Sequence, residues 1–391
     1  MNTTPHSPAD AGHHRPSPLR IAVVGGSLTG PVTAMLLHAA GFPDVTVYEA
    51  APAHVPLAGG LISLEHPALE VLDRLGIDQS EVLACPSEHI VQMDIRDRIP
   101  TRTLTRTYPG RNTTWTLLHA ALAQRMPAGT VRTGHRLTDL HTSGGRPRLR
   151  FTNGDTATAD LVVFADGRAS TGRRILDPDR ALRYAGYVAH RGTTQPPTLT
   201  LSDFLRMQPW PGAQFNIAPI PGALDWTFYL NATAGQYEAW FGAPPTRRLM
   251  ATGRHVSGPA RTVVDACATA LLPTDHAEVV RTTTQRMAVP VIDIDPPQQM
   301  VWPVGDGWAV LIGDALAPVR AHIAKGANNG IEQAAGLAAA LHQHHKFGAD
   351  LGAALGGWQR RYLPAVHDAI TRGAAIGARL GLGTTALAVA R

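Results

Sequence analysis

Lysine is almost missing from this chain: of 35 basic residues only Lys325 and Lys346 are lysine, and the arginines are scattered. The formal net charge is +5 with no dense basic stripe and no nucleic-acid motif, so no nucleic acid is expected as a partner. Cysteine is as scarce. Cys85 and Cys267 stand far apart in no C-x-x-C pair, which argues against a thiolate metal site and fits two reduced, buried thiols in a cytoplasmic protein. No run reaches the roughly 18 uninterrupted apolar residues of a membrane span. The first 19 residues carry Pro5, Pro8, Pro16 and Pro18 among polar neighbours and lack the apolar core of a secretory signal, so residues 1–19 are expected to be a disordered arm. Histidine is common at 18, and His342, His344 and His345 crowd one helix end. No carboxylate or cysteine is spaced to complete a site with them, so they read as exposed polar residues and no metal is expected.

What is present is a core. At 391 residues and 44% hydrophobic content, two domains are expected. The chain is organised around Ile21-Ala22-Val23-Val24, an apolar run suited to burial on both faces, and the turn Gly25-Gly26-Ser27-Leu28-Thr29-Gly30 that leaves it. A glycine turn feeding a helix presents free N–H groups to a pyrophosphate. Ser27 stands where the pattern has its middle glycine, and its small hydroxyl can donate to a phosphate. The second strand, Val45 to Glu49, ends in a carboxylate about 20 residues past the last glycine, where it can accept from ribose hydroxyls. These residues indicate a dinucleotide site.

Further along, Pro67 opens a helix that Gly76 ends, and the alternation from Glu88 to Thr107 predicts a hairpin separate from the parallel sheet. Thr114 caps a helix through Leu122, followed by a strand near Val131 to Leu140. Asp160 to Ala165 reads as a second buried strand and Trp308 to Ala315 as a third. Each ends in an acid, Asp166 and Asp314, at the end of the strand where open α/β sheets bind ligands. Between Tyr184 and Ala288 the chain is mostly strand, with one helix around Val263 to Leu272. A helix is expected over Ile331 to His342, and one or two more in the alanine-rich tail. Tyr187, His190, Phe215, Trp226 and Tyr229 are candidates to line a flat aromatic pocket, although aromatic residues at strand spacing also serve as plain core.

Three motifs in this order, Gly25 to Gly30, Asp166 to Arg173, and Gly313-Asp314-Ala315 with Gly326-Ala327-Asn328, resemble those of the single-component flavin-dependent aromatic hydroxylases. The resemblance is nearest to the 2,6-dihydroxypyridine hydroxylase branch, through Thr113-Thr114-Trp115, Gly186 to Gly192, and Arg320-Ala321-His322. Two positions depart from that branch: His190 replaces a tryptophan and Ala321 a proline. The implied fold is α/β, with a Rossmann-like FAD-binding domain, an inserted mixed-sheet substrate domain and C-terminal helices. The corresponding boundaries are 20–85, 112–182 and 289–345 for FAD, 86–111 and 183–288 for substrate, and 346–391 for the terminal helices.

The same resemblance implies that Gly25, Gly26, Ser27, Leu28, Thr29 and Gly30 approach the FAD pyrophosphate and that Glu49 takes the adenosine ribose. Leu118, Leu140 and Asp166 are further cofactor positions, and Asp314 meets the riboflavin end. Gly326, Ala327 and Asn328 open a helix whose positive end faces the flavin pyrimidine. Lys325 replaces the family's glutamine, and Ala50 an arginine that usually follows the ribose-binding acid. His322, between Asp314 and Gly326, is the expected catalytic base at the substrate ring, with Arg320 as a cation facing the substrate.

The activity implied is an FAD-dependent monooxygenase: NADH or NADPH reduces FAD, and a flavin peroxide passes one oxygen atom to an aromatic or heteroaromatic substrate. Epoxidation and Baeyer–Villiger insertion use the same chemistry and stay open. So do a nicotinamide dehydrogenase, which the Gly25 to Glu49 segment would serve equally, and a flavin-binding protein without turnover. Expected partners are the small substrate and O₂, with a homodimer left open.

Overall fold

The computed structural model describes residues 19–53, 60–85 and 87–383. The N-terminal arm up to residue 18, the Leu57-Ala58-Gly59 stretch and the tail beyond 383 lie outside the described residues.

The first sheet has six strands in the order Val301–Val304, Gly307–Leu311, Leu161–Phe164, Ile21–Val24, Val45–Tyr48 and Val131–Arg132. All pairs are parallel except the edge hairpin formed by Val301–Val304 and Gly307–Leu311. Ile21–Val24 and Leu161–Phe164 are buried at every position, as strands covered on both faces must be. Leu161–Phe164, distant in sequence, enters beside the first strand and brings Asp166 next to the glycine turn. The expected third strand stops at Leu311, because Gly313 takes φ +57° and turns the chain into a short helix, Gly313–Leu316. The strand expected from Val131 to Leu140 is likewise broken at Gly134, φ +73°, into Val131–Arg132 and Leu137–Ser143, which join different sheets. Helix 326–347 starts earlier than its apolar spacing suggests, and helix 259–271 begins at Pro259, whose ring suits a first helical position.

The second sheet has eight strands, in the order Ala251–Thr252, Gln285–Asp293, Arg183–Thr194, Ala223–Asn231, Ala213–Ile220, Phe204–Trp210, His89–Arg96 and Ile99–Thr107. Its Gln285–Asp293 strand runs across the expected boundary at 288–289. Its two faces have opposite character. Met207, Phe215, Trp226 and Phe228 fall on one face and pack against Val264 and Cys267 of helix 259–271 and Val280 of helix 274–282. Because side chains alternate, Arg206, Gln214, Asn216, Tyr229, Tyr187 and Arg191 fall on the other.

The terminal helix Leu351–Arg379 links the two sheets. Leu355, Trp358 and Val366 belong to the core of the first sheet, while the residues just past the helix dock on the second. There the Gly212 N–H donates to the Leu380 carbonyl at 2.8 Å, Asn231 Nδ2 donates to the Gly381 carbonyl at 2.9 Å, and Leu382 packs with Tyr187 and Tyr229. Both cysteines are buried and free. Among the described residues no helix is long and apolar enough to cross a membrane, and no cluster of ligating side chains could hold a metal ion.

Candidate active site

The glycine turn is built by close approach. A Cβ on Gly30 would overlap the Gly25 carbonyl oxygen, and one on Gly25, itself at φ +110°, would overlap the Ala165 carbonyl oxygen. The helix that follows, Thr29–Ala39, has Leu28 at its N-cap and no side chain capping it, so its first N–H groups stay available. The Trp115 indole N–H donates to Ser27 Oγ at 3.1 Å, which leaves the serine hydroxyl proton free to donate. Glu49 closes the other side of the turn, accepting from Gly26 N at 2.6 Å and from Ala51 N at 2.7 Å. Each of its oxygens keeps lone-pair capacity for a ribose hydroxyl.

The first and third motifs meet at Thr29. A Cβ on Gly330 would overlap the Thr29 hydroxyl, and one on Gly313 would lie 3.2 Å from it, so two glycines let helices 29–39 and 326–347 cross beside the Asp314 loop. Helix 326–347 also starts without a side-chain cap. Its opening residues are fixed instead by Asn328, which accepts from Glu65 N at 2.8 Å and donates to the Ser63 carbonyl at 3.0 Å. Asp314 stands by that helix start, its Oδ1 3.7 Å from where a Gly326 Cβ would be. Burial raises its pKa, against the pull of Arg168 and Arg173. Two uncapped helix ends and two carboxylates therefore border one region, a donor and acceptor set that fits the phosphates, sugar hydroxyls and pyrimidine oxygens of a flavin dinucleotide.

Asp166 sits differently. Its carboxylate accepts from Ser170 Oγ at 2.5 Å and Thr171 N at 2.7 Å, and so orders Ser170, the N-cap of the helix Thr171–Leu176, which accepts from Arg173 N at 2.9 Å. Arg173 carries this segment to the third motif by donating to the Asp314 and Ala315 carbonyls at 3.1 and 2.7 Å, and burial pushes its pKa down to about 10. Leu118 and Leu140 are buried within the first core. Lys325 forms an ion pair with Glu65, so its charge is countered locally.

On the second sheet, His322 faces the polar side. Its Nδ1 lies 3.1 Å from Gln214 Oε1 and its Nε2 2.9 Å from the Tyr187 hydroxyl, with the Tyr229 ring centroid at 4.7 Å. Since Gln214 Oε1 only accepts, Nδ1 carries the proton and Nε2 accepts from Tyr187. Burial, with Arg206 and Arg320 nearby, pushes the His322 pKa down to about 3. The imidazole is thus neutral at physiological pH with both nitrogens engaged, which corrects the expectation of a base titrating near neutrality. Arg320 is also committed elsewhere: Nε donates to Asp293 Oδ1 at 2.7 Å, Nη2 pairs with Oδ2, and the guanidinium lies 5.5 Å from the Tyr187 ring centroid. It holds Tyr187 in place rather than facing open space.

Of the five aromatic pocket candidates, Tyr187 and Tyr229 face His322, whereas His190, Phe215 and Trp226 lie on the helix-covered face. Burial and Arg286 push the His190 pKa to about 3, and the Trp226 N–H donates to Thr283 Oγ1 at 2.9 Å. They are core residues, displaced from the polar face by one position of strand register. The register also brings in residues that sequence reasoning missed. Arg206, Asn216, Thr227 and Arg191 lie side by side across four strands. Asp225 and Arg191 pair at 3.8 Å, and Arg191 Nη2 donates to the Leu61 carbonyl at 3.1 Å. The signal was the alternation of polar residues in 204–216, readable only once the paired strands are known.

Residues 19–206 match the family described as FAD binding domain. The chain is 30% identical over 338 residues to the 3-amino-4-hydroxybenzoate 2-monooxygenase of Streptomyces cremeus, covering 83% of this chain and 78% of that one. It is 29% identical over 339 residues to the 6-hydroxynicotinate 3-monooxygenase of Bordetella bronchiseptica, with 83% of each covered. Among solved structures, the 2,6-dihydroxypyridine-3-hydroxylase from Arthrobacter nicotinovorans superposes with a TM-score of 0.81 over 96% of each chain, at 23% identity, a likeness of fold.

Proposed function

Because the chain belongs to the FAD-dependent aromatic monooxygenases, we propose that it hydroxylates a small aromatic or heteroaromatic ring with O₂ and electrons from NADH or NADPH. Overall, the substrate C–H becomes C–OH, the second oxygen atom leaves as water with uptake of one proton from solvent, and NAD(P)H becomes NAD(P)⁺. Bound FAD supplies the transfer of electrons to oxygen and of one oxygen atom to the ring.

The observation that carries this reading is the convergence of two uncapped helix ends, Glu49 and Asp314 in one half of the molecule, with the polar sheet face around His322 in the other. The N–H groups of residues 27–30 bind pyrophosphate, Glu49 the ribose, Asp314 a hydroxyl toward the riboflavin end, and residues 326–328 the flavin ring oxygens. We assign 20–85, 112–182 and 294–345 to the cofactor part and 86–111 with 183–293 to the substrate part, so that strand Gln285–Asp293 stays whole in the second sheet. Neutral His322 positions Tyr187 and Gln214 beside the ring. The buried sheet face keeps water from the reacting atoms.

The test is direct. Purified protein is expected to be yellow, to release all its flavin on heat denaturation, and to oxidise NAD(P)H faster when a hydroxylated aromatic acid or hydroxypyridine from a panel is added, with ¹⁸O from ¹⁸O₂ in the product. A protein that neither holds nor takes up FAD, or one whose product carries no label, overturns the reading.

A further inference from the structure

Among the described residues, the polar face holds a cation that no acid pairs. Arg206 is half-buried in strand 204–210, and its Nε is fully buried without a hydrogen-bond partner. No carboxylate bears on it among the described residues: the charged and titratable groups around it are Tyr229, His322 and a second cation, Arg106. The guanidinium also lies 5.8 Å from the Phe204 ring centroid. Beside it, Asn216 Oδ1 is also buried without a partner. An unpaired, desolvated guanidinium destabilises a fold, and most buried arginines have an acid or several carbonyls to offset it. Here donor and acceptor stand unpartnered side by side, on the face that carries Gln214, Tyr229 and Tyr187 to His322.

Resting on the reading of this face as the substrate site, we propose that Arg206 binds the substrate as an oxyanion: the ring takes its place with an ionised hydroxyl, or the equivalent oxygen of a hydroxy-heterocycle, against the guanidinium. The hydroxyl O–H bond breaks, its proton goes to solvent, and the oxygen keeps the electron pair that the cation stabilises. An ionised ring is the electron-rich form that an electrophilic oxygen attacks, so Arg206 performs by electrostatics what a base would perform by proton abstraction. His322, neutral with both nitrogens engaged, is not available to do so. Asn216 accepts from a neighbouring ring N–H or O–H of the same substrate.

The FAD-loaded protein is titrated with 4-nitrophenol, whose ionised form is read by its visible absorbance, and with its methyl ether 4-nitroanisole, which cannot ionise. Wild type is expected to bind the phenolate at least tenfold more tightly than the ether and to lower the apparent pKa of the bound phenol. In Arg206→Gln the preference should vanish, with phenolate binding about ten- to a hundredfold weaker, while Arg206→Lys keeps part of it. Melting temperature gives an independent readout: removing an unpaired cation should leave ligand-free Arg206→Gln as stable as wild type or more so. Equal binding of phenol and ether, no binding of either, an unchanged preference in Arg206→Gln, or a marked loss of stability in that variant overturns the proposal. The two readings fail separately. A colourless protein that still selects phenolate through Arg206 sinks the monooxygenase, whereas a yellow protein without that selection sinks only the oxyanion site.

Discussion

The Tyr187 hydroxyl donates to His322 Nε2 at 2.9 Å across the interface of the two sheets, and this one bond decides what the histidine can do. With Gln214 holding the opposite nitrogen at 3.1 Å, the ring has no free lone pair for a substrate proton. It serves as a rigid spacer that aims a tyrosine and an amide.

The depressed pKa of His322, about 3, has a consequence for stability, and His190 at about 3 shares it. Both histidines bind a proton in the unfolded chain below about pH 6.5 and stay neutral in the folded one. The unfolded state therefore binds more protons between about pH 6.5 and 3, and stability falls as pH drops through that window. Each residue contributes a slope of about 1.4 kcal/mol per pH unit in the middle of it. Denaturant melts at pH 7.0, 6.0 and 5.0 should show the slope lessened in His190→Gln and in His322→Gln, and a wild-type stability that is flat over this range would contradict it.

Glu49 accepts from Gly26 N at 2.6 Å and so joins the proposed ribose contact to the shape of the turn. Glu49→Ala should weaken FAD by roughly 1.5–3 kcal/mol, about ten- to a hundredfold, through loss of a charge-assisted acceptor. Fluorescence titration of apoprotein with FAD measures this directly. Unchanged affinity would mean that the ribose is held elsewhere.

Lys325 opens the helix proposed to face the flavin and is paired with Glu65. Removing the lysine deletes a charge already countered, so Lys325→Gln should move the potential of bound flavin little. Glu65→Gln uncovers the cation and should raise the potential, on the order of 30 mV for about 1.4 kcal/mol of added stabilisation of the reduced anion. Spectroelectrochemical titration of the two variants separates them, and equal shifts in both would show that the pair has no such polarity.

The cofactor half was legible because its chemistry is local in sequence: a turn, a strand end and a helix start each carry their residues within about ten positions of one another. Gly25, Gly30 and Glu49 had visible reasons for being what they are. The substrate half was not, because its determinant is register. In strand 213–220 the polar side carries Gln214 and Asn216 while Phe215 between them points into the core, and choosing the most aromatic residues selected the core side. Similarly, nothing in the order of residues 320–322 reveals that Asp293, Tyr187 and Gln214, each distant in sequence, claim Arg320 and His322 first.

That parity can be tested across one strand pair. Asn216 and Tyr229 lie on the His322 side, Phe215 and Trp226 on the helix side, and all four belong to two adjacent strands. Asn216→Ala and Tyr229→Phe should leave FAD content near wild type and lower the product formed per NAD(P)H consumed, by severalfold or more, because a misplaced ring receives oxygen less often. Phe215→Leu and Trp226→Phe should instead lower stability: they lose buried volume, and the second also leaves Thr283 without the indole N–H donor it now receives at 2.9 Å, together about 1–3 kcal/mol each. Their coupling ratio should hold once folded protein is counted. The reverse outcome, with uncoupling in the core pair and lost stability in the polar pair, would place the substrate on the helix-covered face and move the site to the other side of the sheet.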